Sequence, residues 1–149
     1  MRHERWLLLA GALSAGAAVL HLAIIVGGAN WYRFFGAGEG MARLSERGSS
    51  TPALITLGIA AILALWSAYA FSGAGLLPRF PLLRKGLILI ATVYLLKGLL
   101  LIPSLILKPA LVDAFVVWSS LIVLAFGIAH VIGILRAWPR LSAHGLTAH

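Results

Sequence analysis

The sequence predicts an all-α fold: an integral membrane four-helix bundle of up-down topology, with both termini cytoplasmic. Three observations predict it. The chain of 149 residues is 61% hydrophobic and only 11% charged, with a mean hydropathy of +1.00, which lies outside the range of soluble domains. Four apolar runs, at about 6–26, 53–71, 86–107 and 114–135, hold 19 to 22 residues each, and at 1.5 Å per residue each crosses a hydrocarbon core of about 30 Å. If the runs alternate in direction, Arg2, Arg5, Arg79, Arg84, Lys85, Arg136 and Arg140 share one side, against Arg33, Arg43, Arg47 and Lys108 on the other. Basic residues concentrate on the cytoplasmic side of membrane proteins, so the larger group marks that side.

The same distribution explains the net charge of +8 through topology and anionic headgroups, and no nucleic-acid partner is expected. With no cysteine, disulfides, thiolate metal sites and cysteine nucleophiles are excluded. The longest connector, an outer loop at 27–52, is too short and too glycine-rich to bury a core, so residues 1–149 read as a single transmembrane domain.

The first run follows the basic segment "MRHER" and contains "ALSAGA", so a cleaved signal peptide is the alternative. Its 21 residues exceed an ordinary signal core, and the run is read as a retained span. Small residues at Ala10, Ser14 and Ala18, and again at Ala12 and Gly16, suit close helix packing in lipid. In the outer loop, Trp31 and Tyr32 fit the interface, and a short helix is expected over about 39–46. Ser50, Thr51 and Pro52 supply a cap and a first-turn proline for the second span. "SGAGLLPRFPLLRK" forms the inner hairpin, its glycines ending one span and its prolines stiffening the turn. Pro103 kinks or ends the third span. Asp113 stands at the start of the fourth, where a negative charge suits the helix dipole. The tail "LSAHGLTAH" is expected to be disordered.

The strings "HLAIIVGGANWYRFFGAGEGMARL", "YAFSGAG", "PLLRKGLILIATVYLLKGL" and "AFGIAHVIGILRAWPRL" resemble a family of small, uncharacterised four-span proteins of the bacterial inner membrane. The resemblance covers nearly the whole chain and implies a bacterial inner-membrane, multi-pass setting, without a reaction. The architecture is also loosely similar to DoxX-like four-span proteins, with no shared motif from which a residue role could be carried over.

Lys97, near the middle of the third run, points to a site. A lysine at helix centre costs about 2.5–3.5 kcal/mol to insert and calls for a partner or a wet cavity. Counted at 1.5 Å per residue, Lys97 lies about 18 Å above Lys85, His21 about 22 Å above Trp6, and Ser119 and Ser120 at about 20 Å. Tyr94 precedes Lys97 by one turn. Three of the four carboxylates fall on the outer side, so Glu39 in "GAGEG" is the first choice of counter-ion and Asp113 the second. The expected ligand-binding set is Lys97, Tyr94, His21, Glu39, Ser119, Ser120 and Asp113, opening outward. Each also has a plainer reading: Lys97 snorkels, His21 bonds a neighbouring helix, the serines bond their own helix, and His130 lies at the interface. His130 falls about 25 Å from the outer face and too far below His21 for one iron to reach both. No metal site and no resident cofactor are expected, haem or quinone being the alternatives.

Three functions compete on this pattern. The first is a non-catalytic, lipid-binding type of module that takes a small amphiphilic or anionic ligand, such as a lipid, a quinone or a hydrophobic metabolite, in an outer-half pocket around Lys97. The second is a membrane-embedded redox or lipid-modifying enzyme, using Lys97 or His21 as acid or base. The third is an accessory subunit that packs against copies of itself or within a larger membrane complex.

Overall fold

Stretches rich in Leu, Ala and Ile wind into helix throughout the computed structural model, which describes residues 4–143. The order is α1 (Arg5–Phe34), α2 (Glu39–Glu46), α3 (Thr51–Ala74), α4 (Leu83–Leu99), α5 (Leu101–Leu107), a single 3-10 turn (Pro109–Leu111) and α6 (Ala114–Ser142). No strand occurs among the described residues. Taken with α4 and α5 as one run, four helical segments are long and apolar enough to cross a membrane: Arg5–Phe34, Thr51–Ala74, Leu83–Leu107 and Ala114–Ser142.

The helices extend beyond the apolar runs. α1 continues to Phe34 through a break at Gly28, whose φ of 65° and ψ of −151° suit glycine alone. The short helix expected over 39–46 is present as α2. α3 begins at Thr51, whose N–H donates to the Ser49 hydroxyl at 3.3 Å, and it stops before Gly75 at φ 84°, a left-handed C-terminal stop. Pro103 divides the third span, but the break falls at Leu100, between α4 and α5. A proline cannot bond the carbonyl four residues back, so the disruption lands around Leu99 and Leu100 rather than at the proline itself. At α6, Asp113 is the N-cap and its Oδ1 accepts from the Val116 N–H at 2.8 Å. α6 runs to Ser142, so the first two tail residues are helical; residues 144–149 lie outside the described part.

Packing divides the chain into two compact units, one of residues 1–13 and 66–149, the other of residues 14–65. In the first, a core of Leu7, Ala10, Ala74, Leu87, Ala91 and Ala137, with neighbours, joins the start of α1, the end of α3, α4 and α6. Its small residues set the spacing. A Cβ on Gly98 would stand 2.9 Å from the Leu124 backbone, one on Gly127 3.0 Å from the Leu95 nitrogen, and one on Gly133 3.0 Å from the Leu7 nitrogen. α4 and the start of α1 thus meet α6 at backbone distance, the arrangement small residues permit in lipid. In addition, the Ser67 hydroxyl donates to the Gly11 carbonyl at 2.8 Å.

The second unit has a small core of Ile24, Tyr32 and Ala42. Thr56 Oγ1 and the Tyr32 hydroxyl are 3.4 Å apart within it. Of the two small-residue rows on α1, Ala10, Ser14 and Ala18 are buried, whereas Ala12 and Gly16 are exposed.

Candidate functional site

The expected site residues fall in both units: His21 and Glu39 in the second, Lys97, Tyr94, Ser119, Ser120 and Asp113 in the first. Lys97 lies in the last turn of α4 and is exposed, with exposed Val93, Leu96, Leu99 and Leu100 around it. Among the described residues it forms no ion pair. Tyr94, three residues before it, is 4% exposed. A three-residue step turns the helix by 300°, so the edge of the packed face passes between the two. Asp113 is exposed and engaged as the α6 cap.

Glu39 is committed within its own unit. Both its oxygens are held by Arg33, at 2.8 and 3.0 Å, and Oε1 also takes the Arg43 Nε at 3.0 Å. Arg33 further donates to Glu46 at 2.7 Å. These hydrogen bonds, foremost those of Arg33, hold the Glu39 carboxyl down at about 2 and lower that of Glu46 as well.

The remaining polar groups turn to their own helices. His21 is half-buried, its Nδ1 2.7 Å from the Ala17 carbonyl, and the half-buried Ser119 donates to the Val116 carbonyl at 3.2 Å. Ser120 is half-buried beside it. For a polar side chain in an apolar phase, the carbonyl three or four residues back is the nearest acceptor.

The residue that sequence reasoning placed at the interface proves to be the most enclosed titratable group among the described residues. His130 is 0% exposed. Its Nδ1 lies 2.8 Å from the Phe126 carbonyl, and its Nε2 is buried with no hydrogen-bond partner among the described residues. The imidazole centroid is 5.3 Å from that of Tyr94. Tyr94 in turn meets Phe126 and Trp66 edge to face, at 5.6 and 5.0 Å. Gly98 and Gly127, one turn away from Tyr94 and His130, allow the helix approach that brings these rings together. A signal was available in the stripe Gly127, His130, Gly133 and Ala137, a row of small residues that marks a packed face with the histidine inside it.

No group of three or more His, Asp or Glu side chains that could share a metal ion occurs among the described residues. No family model, curated protein or solved structure matches the chain.

Proposed function

We propose that the chain is a multi-pass protein of a bacterial inner membrane, with cytoplasmic termini, and that it serves as a non-catalytic module for a small anionic amphiphile. Lys97 is the charge partner of that ligand. One observation carries the reading: an ammonium 14 residues into the span Leu83–Leu107, about 21 Å along it, lies among exposed leucines and has no carboxylate partner among the described residues. A lysine in that setting needs an anion from the surrounding phase, because transfer of an unpaired charge into hydrocarbon is costly. An amphiphile supplies both parts, with its tail along Val93, Leu96 and Leu100 and its anionic head at Lys97. The ligand therefore approaches from the lipid along α4, and Tyr94 forms the packed wall behind it. The larger basic group on one side and the resemblance to four-span inner-membrane proteins support the orientation and the setting.

The test is the amphiphile content of protein purified in mild detergent. Wild type and Lys97→Arg should retain the same anionic species, and Lys97→Met should lose about tenfold, the change expected for about 1.4 kcal/mol. Equal retention by the methionine variant overturns the proposal.

A further inference from the structure

The aromatic cluster around His130 has a chemistry that Lys97 does not use. A carbonyl oxygen can only accept, so the contact of Nδ1 with the Phe126 carbonyl at 2.8 Å fixes the proton on Nδ1. In the neutral ring, Nε2 then carries a lone pair. It is enclosed, and no donor reaches it among the described residues. Leaving such an acceptor unmatched is costly, and a buried polar atom without a partner calls for an explanation.

The surroundings restrict what can supply the missing donor. The ring neighbours are Tyr94 and, through Tyr94, Phe126 and Trp66, none of them charged. A carboxylate or a phosphodiester has no proton to give and would face the lone pair, and any phosphate would bring net charge into the apolar layer. An ammonium would carry its charge into an apolar, membrane-spanning layer. A neutral hydroxyl on an apolar chain satisfies both demands. Trp66 and Phe126 are only half-buried, and rotation of these two rings is the opening the ligand requires, since side chains change rotamer readily.

We infer that His130 Nε2 receives the hydroxyl of a neutral amphiphile, an alcohol-headed lipid seated against Trp66, Tyr94 and Phe126. This site shares Tyr94 with the anion site but lies on the packed side of α4, whereas Lys97 is exposed, and its ligand is neutral.

The experiment follows the imidazole nitrogens of the full chain, labelled with 15N-histidine, in a detergent without hydroxyl groups. The probes are 1-decanol and its methyl ether, equal in apolar surface but differing in the donor. Decanol should shift the His130 Nε2 resonance and raise the thermal midpoint; the ether should do neither. His130→Phe keeps a ring and removes the acceptor, so it should abolish the difference between the probes in the thermal midpoint. The labelled wild-type measurement stands alone should that variant fail to fold. Equal effects of alcohol and ether, or an Nε2 resonance unmoved by decanol, overturn the inference.

Discussion

Gly98 and Leu124 lie so close that a Cβ on the glycine would stand 2.9 Å from the leucine's backbone nitrogen and 2.7 Å from its Cβ. α4 and α6 meet there at backbone distance, and the backbone atoms of Leu124 cannot swing aside as a flexible side chain could. Gly98→Ala should therefore force the helices apart and destabilise the protein by about 1–3 kcal/mol, the usual cost of overpacking. Gly16→Ala is the control, since nothing lies within 4 Å of the place a Cβ would take there. Unfolding in mixed micelles, compared for the two variants, checks the prediction.

Ser67 and Gly11 tie α3 to α1 inside the first unit through a hydrogen bond of 2.8 Å, with Ser67 4% exposed. Ser67→Ala removes the donor and little volume. A loss of about 0.5–1.5 kcal/mol is expected in the same assay, because bonds between membrane helices are worth no more than their counterparts in water.

How far such contacts are legible in the sequence depends on the kind of signal each needs. The spans, the helix at Glu39–Glu46 and the start of the fourth span at Asp113 are readable, because length, charge placement and the preference of an acid for a helix start are local. The facing of Lys97 is not. Its helix is apolar on every side, so hydrophobic patterning carries no direction, and packing is decided by Gly98. Depth counted along a helix gives a height and leaves the azimuth open. His130 misleads for the same reason: its height suggests an interface, while Gly127 and Gly133 place it on the packed face.

The Arg33, Glu39, Arg43 and Glu46 network should be sensitive to acid. The Glu39 carboxyl is depressed from 4.5 to about 2 in the folded protein, so its stabilisation is fully present above about 4.5 and is lost as pH falls through about 2. Glu46 shifts in the same direction. The groups are exposed, so concentrated salt at neutral pH should reproduce part of the effect by screening. Amide NMR of Ala42, buried in α2, should report loosening of this helix at pH 2 but not at pH 5. Arg33→Gln should loosen α2 already at pH 5 and flatten its pH response.

Arg79 closes the far end of α6. Its guanidinium donates to the Arg140 carbonyl at 3.2 Å and to the Leu141 carbonyl at 2.8 Å, two of the last carbonyls of a helix that ends at Ser142. Carbonyls in the last turn of a helix lie beyond the reach of its own ladder, and a cation also suits the negative end of the dipole. The planar fork matters as much as the charge, because two nitrogens reach two oxygens at once. Arg79→Ala should cost about 1 kcal/mol, felt mainly as fraying of the final turn. Arg79→Lys keeps the charge, reaches fewer carbonyls and should fall between alanine and wild type. Hydrogen exchange of the amides of Trp138 and of residues 140–143 distinguishes these cases. If lysine protects the turn as well as arginine does, the clamp is purely electrostatic and the fork geometry is irrelevant.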